Sequence, residues 1–143
     1  MQISKTIKIA QRHEEIFRAI SLGELFRSTG ILQPSLRLDF RPEGTYSFLW
    51  PTTGKCKGIF LVIIPSSLIS FTWMKSDALY SKDTLISLVQ IRLIPNGHNT
   101  LLELIHSDLP EEASYECMWD EVLAIFKRKI EVPSLPIPAF TPS

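Results

Sequence analysis

From Leu36 to His106 apolar and polar residues alternate, and turn-forming residues interrupt the alternation about every ten positions. Side chains that recur at every second residue share one face of a strand, so this stretch demands a series of antiparallel strands. The runs are Leu36–Phe40, Tyr46–Trp50, Cys56–Ile64, Ile69–Trp73, Thr84–Ile94 and Thr100–His106. Turn chemistry separates them at Arg41-Pro-Glu-Gly44, Pro51-Thr-Thr-Gly54 and Pro65-Ser-Ser67, and a polar loop spans Lys75 to Asp83. The strongest hairpin signal is Pro95-Asn-Gly-His-Asn99, because Asn-Gly accepts the positive φ of a tight turn. An opening strand, with Ile3, Ile7 and Ile9 on one face, brings the count to six or seven.

The charges decide which face is inward. Lys55 and Lys57 oppose Cys56 and Gly58, Gln90 and Arg92 oppose Val89 and Ile91, and Glu103 opposes Leu102 and Leu104. The inward set therefore carries Phe40, Tyr46, Phe48, Trp50, Phe60, Phe71 and Trp73, with Val62 and Ile64 continuing the Phe60 run and His106 ending the last strand. Glycine at position 58, mid-strand, predicts a bend or bulge.

The period changes twice. Gln11 to Ile20 places Ile16, Phe17 and Ile20 on one helical face, and Gly23 divides this helix from a second short one over Leu22 to Phe26. Both are too short to be stable alone and must lean on the sheet. Near the other end, Pro110 to Ile130 reads as one helix of roughly 30 Å. Asp108 is its candidate N-cap, Glu111 and Glu112 suit its positive end, and Lys127, Arg128 and Lys129 suit its negative end. Tyr115, Met118, Trp119, Val122, Phe126 and Ile130 form its apolar stripe. The acidic and basic clusters read as solvated helix ends. Prolines from Val132 to Ser143 forbid more helix, so residues 1–131 are expected to form one domain and 132–143 an extended tail.

Lysine plus arginine equals aspartate plus glutamate at 15 each, which leaves no basic excess for a phosphate backbone and argues against nucleic acid. No apolar run approaches the ~18 residues of a membrane span, and the N-terminus lacks a signal sequence, so the expected location is the cytoplasm. Cys56 and Cys117 have no metal-ligand spacing, His13, His98 and His106 are scattered, and no HExxH, glycine-rich phosphate loop or Gly-x-Ser-x-Gly elbow occurs. No metal, cofactor or catalytic set is expected, and His106 reads as a hydrogen-bonded core histidine.

Three segments carry a resemblance. Pro65-Ser-Ser-Leu-Ile-Ser-Phe-Thr-Trp73, Thr100-Leu-Leu-Glu-Leu-Ile-His-Ser-Asp-Leu109 and Met118-Trp-Asp-Glu-Val-Leu123 are similar, in this order, to segments of the SRPBCC subfamily named for the activator of the heat-shock protein 90 ATPase. Ile7 to Ile20 resembles its opening strand and first helix, so the likeness runs over about residues 2 to 130. It departs at Met118, where the family usually has glycine, at Glu43-Gly44, where it often has Gly-Gly, at Phe26, near a usual tryptophan, and in the short segment Arg27 to Gln33. The resemblance implies an α+β helix-grip fold: a curved antiparallel sheet wrapped around the long C-terminal helix, with two short helices after the first strand.

A sheet that grips one helix with large rings is expected to leave an apolar gap on the order of a few hundred Å³. The candidate wall is Tyr46, Phe48, Trp50, Phe60, Phe71, Trp73, His106, Met118 and Trp119, and the expected guest is a small hydrophobic molecule. The alternative is a protein-interaction domain whose outer surface meets a chaperone or a second copy as a homodimer.

Overall fold

A computed structural model of the chain describes residues 2–29, 35–50, 54–76, 86–109 and 115–131. The elements are β1 (Ile3–Ile9), α1 (His13–Ser21), α2 (Glu24–Arg27), β2 (Arg37–Leu38), β3 (Thr45–Trp50), β4 (Gly54–Ile64), β5 (Leu68–Ser76), β6 (Ile86–Asn96), β7 (Asn99–Ser107) and α3 (Tyr115–Glu131). The strands form one seven-stranded antiparallel sheet in the order β1-β7-β6-β5-β4-β3-β2. The chain thus builds six neighbouring strands by successive hairpins and closes the far edge with its first strand, an α+β helix-grip arrangement. The proline-rich tail, the Pro110–Ser114 start of the expected helix, the Pro51–Thr53 turn and most of the polar loop lie outside the described residues.

Strand parity places the core as the alternation demands. Tyr46, Phe48, Cys56, Phe60, Ile69, Phe71, Trp73, Val89, Ile91, Leu102, Leu104 and His106 are buried. Ile16 and Ile20 of α1 and Leu25 and Phe26 of α2 cover part of the same face, while Trp119, Val122, Leu123 and Phe126 of α3 cover the rest. Gly23 divides the short helices with φ 90, a left-handed conformation that glycine adopts at little cost.

Several details differ from the sequence expectation, each for a local reason. A bulge between Phe60 and Val62 breaks the β4–β5 register, so Val62 and Ile64 turn out to solvent and Ile63 turns toward the core. Gly58 is not the bulge. A Cβ there would run into the Thr72 carbonyl oxygen and sit 2.7 Å from the Tyr46 hydroxyl, so glycine clears the path of the Tyr46 ring across β4. The β6–β7 loop is Gly97-His98 rather than Asn96-Gly97, since Asn96 pairs with Asn99 and Gly97 carries the positive φ of 67. Only Arg37 and Leu38 of the Leu36–Phe40 run pair as strand. β5 continues through Lys75 to Ser76, residues the alternation assigns to a loop. Asp108 has φ 62 instead of the extended backbone of an N-cap.

Hydrogen bonds fix the ends of α3 and the β4–β5 turn. Lys127 donates to the Lys8 carbonyl at 2.8 Å, and the Glu131 carboxylate accepts from the Ala10 backbone N–H at 2.7 Å and from Lys127 at 2.7 Å. The basic helix end is therefore a fastening as well as a solvated face. Lys5, on the inward parity of β1, pairs with Asp120 at 2.9 Å and Glu116 at 3.3 Å, one helical turn apart on α3. The Asp120 hydrogen bond, with Glu116 behind it, holds the Lys5 ammonium above its ordinary pKa. Ser66, at φ 59, follows Pro65 in a turn whose backbone angles suit glycine, and the His13 imidazole donates to its carbonyl at 2.9 Å.

Candidate functional site

The concave face divides into two halves. Under α2 it is made of rings. Phe26 stacks on Tyr46 with centroids 4.4 Å apart and lies 5.5, 5.9 and 6.4 Å from Phe71, Phe48 and Phe60. Edge-to-face and offset contacts of this kind are favourable beyond their burial, by roughly 0.5–1.5 kcal/mol per pair. Tyr46 needs a partner for its hydroxyl in this apolar setting and donates to the Thr72 carbonyl at 2.6 Å. Phe26 is the residue that strand parity could not supply: a short helix carries it onto the sheet, so α3 is not the only lid.

Under α3 a hydrogen-bonded thread runs through the rings. Trp119 lies 5.4 Å from Trp73 and 5.8 Å from His106. The Trp119 indole N–H donates to His106 Nδ1 at 2.8 Å, and His106 Nε2 meets Ser87 Oγ at 2.7 Å. An indole can only donate, so Nδ1 is the acceptor and the neutral ring carries its proton on Nε2. Nε2–H then donates to Ser87, whose hydroxyl donates to the Trp73 carbonyl at 3.2 Å. Burial pushes the His106 pKa down to about 4, because the imidazolium would lose its hydration. Protonation would also set a hydrogen on Nδ1 against the Trp119 N–H.

This arrangement does not activate a nucleophile. For His106 to take a proton from Ser87 it needs a lone pair on Nε2, and the Trp119 bond assigns the proton there. The thread instead joins β7, β6, β5 and α3, as a core histidine does. Among the described residues, no three His, Cys, Asp or Glu side chains converge to hold a metal ion. Cys56 is buried and Cys117 exposed.

Of the nine candidate wall residues, Tyr46, Phe48, Phe60, Phe71, Trp73, His106 and Trp119 are at most 1% exposed and lie on the inner side. Met118 is half-buried at the rim of the same cluster. Trp50 ends β3, and its side chain lies outside the described residues. Sequence reasoning missed Phe26 as a wall residue, and it did not show that Lys5 and Lys127 tie α3 to β1. Phe26 followed Leu25 in an apolar pair after a helix break, which was the available signal.

Solved structures share this architecture. Protein MLL2253 from Mesorhizobium loti superposes with a TM-score of 0.75 at 16% identity, covering 90% of this chain and 95% of that chain. The Aha1 dimer from Colwellia psychrerythraea gives 0.75 at 15% identity, covering 92% and 97%. CalU16 from Micromonospora echinospora gives 0.68 at 20% identity, covering 92% and 76%. At these identities the likeness establishes the fold alone. Among curated protein sequences none matches. The family model described as Activator of Hsp90 ATPase homolog 1-like protein matches residues 11–131, from just before α1 to the end of α3, and the chain belongs to that family.

Proposed function

We propose that this chain is a cytoplasmic helix-grip protein that holds a small, largely apolar molecule between the concave sheet and α3, beside Trp73, His106, Met118 and Trp119. The observation that carries the reading is the chemistry of that lining. It consists of indoles, a thioether and one neutral imidazole whose two nitrogens are already bonded to Trp119 and Ser87. Such a surface recognises shape and apolar area rather than charge, so selectivity is broad. Met118 is the half-buried member, and a guest reaches the rings past its flexible side chain. Tyr46, Phe48, Phe60 and Phe71 back the site, and Trp50 belongs to it on strand parity. Residues 1–131 form the binding domain in this reading, with 132–143 outside it.

The test is tryptophan fluorescence with a panel of fatty acids, flavonoids and hydrophobic dyes. Saturable quenching at micromolar concentrations is expected, and Trp73→Leu should change affinity while the far-ultraviolet circular dichroism stays native. If no compound saturates, the binding reading fails. Stimulation of a chaperone ATPase by the same preparation would then favour an interaction domain that works through its outer surface.

A further inference from the structure

The two long edges of the sheet are treated differently. At β1 the helix protects the edge: Lys127 occupies the Lys8 carbonyl, Glu131 occupies the Ala10 N–H, and Lys5 is tied to Asp120. At the other side β4 runs past the end of β3. Thr45 and Ile59 form the last β3–β4 pair, and hydrogen bonds from Glu43 N–H to the Phe60 carbonyl and from Phe60 N–H to the Gly44 carbonyl close the ladder. Beyond them Leu61–Ile64 has β5 on one side and, among the described residues, no strand on the other.

The side chains of this overhang are aliphatic. Ile59, Leu61, Val62 and Ile64 are 41–48% exposed, and the bulge after Phe60 turns Leu61 and Val62 out together. Free edges are ordinarily blunted by a lysine, a proline or an inward charge, because a bare edge pairs with another chain. Ile59–Ile64 contains none of these, and Pro65 comes only after it.

We propose that the Leu61–Ile64 edge of β4 pairs antiparallel with the same segment of a second copy, joining two sheets across a two-fold axis. A segment that meets itself antiparallel is self-complementary by symmetry and closes after two chains. Its lack of charge favours this occupant: two copies bring no like charges together, and a peptide recognised by charge finds nothing to bind. The size of the patch sets the strength. Four residues of edge and four aliphatic side chains fall well short of the roughly 800 Å² per partner of a standard interface, so the dimer is weak and concentration-dependent.

Sedimentation equilibrium of the full chain from micromolar to millimolar concentration tests this. The mass should rise from 16.3 kDa toward twice that value, and the Leu61–Ile64 amides should gain hydrogen-exchange protection over the same range. Val62→Lys sets two like charges across the axis and should weaken the dimer at least about tenfold. Ile86→Lys, at a residue 59% exposed on β6, should leave it unchanged. A monomer at every concentration, a mass beyond two chains, or equal effects of the two substitutions would overturn the proposal. Both positions are exposed, so neither variant tests folding instead of pairing.

Discussion

The half of the concave face under α2 and the half under α3 bury rings of the same kind, yet they are held by different physics. Phe26, Tyr46, Phe48, Phe60 and Phe71 pack by shape, with one hydroxyl bond at the margin. Trp73, His106 and Trp119 pack by shape and are also threaded by directional bonds from indole to imidazole to serine. Shape alone tolerates a sliding helix, whereas a bond of 2.8 Å between Trp119 and His106 is satisfied at a single position of α3 along the sheet. The first half therefore coheres by packing, and the second adds register and a dependence on pH to the same kind of packing.

The largest expected effect lies in the ring-only half. Phe26→Ala should destabilise by about 3–5 kcal/mol, the range for removing a buried phenylalanine, with no pH dependence of its own. Denaturant unfolding at neutral pH measures it, and a loss below ~1 kcal/mol would mean that the rings close over the gap.

Next comes the threaded half, through His106. Its folded pKa of about 4 lies below the unfolded value of 6.5, so between these values the unfolded chain binds more protons. The contribution is therefore fully present above pH 6.5 and is lost as pH falls through about 4, with a total on the order of 3 kcal/mol. Unfolding curves across this window should show the slope, and His106→Gln should remove it. A slope that survives the substitution would assign the effect to other groups.

The smallest effect is at the rim. Lys5→Ala breaks two ion pairs whose carboxylates are more than 60% exposed, so solvent screening keeps this loss the smallest of the three. Added salt should shrink the difference between Lys5→Ala and the parent chain. A loss as large as that from Phe26→Ala would show that Lys5 positions α3 as firmly as the Trp119–His106 bond does.

Much of the fold was legible because it rests on local periodicity. The alternation through Tyr46, Phe48, Phe60, Phe71 and Trp73 named the inner face, and the stripe of Trp119, Val122 and Phe126 named the helix face that meets it. His106 was legible as a core histidine, since its parity put it inside with no charge beside it. What failed was local in a different way. Leu61 looks like any strand residue, so the bulge that reverses Val62 and Ile64 had no sequence signature. Gly58 has one signature for two causes, a bend or a close approach, and the Tyr46 hydroxyl decided between them.

The sequence by itself determined a series of six or seven strands in chain order, the two short helices, the gripping helix and the aromatic character of the face it covers. Each follows from side-chain periods of 2.0 and 3.6 and from turn residues acting on their nearest neighbours. Only the tertiary structure decided that Phe26 fills the ring cluster, that Trp119 sets the tautomer of His106, and that α3 caps the β1 edge while, among the described residues, no second strand pairs with Leu61–Ile64 of β4. These depend on groups 13 to 121 residues apart meeting within hydrogen-bonding or van der Waals distance, and such a meeting leaves no period in the chain.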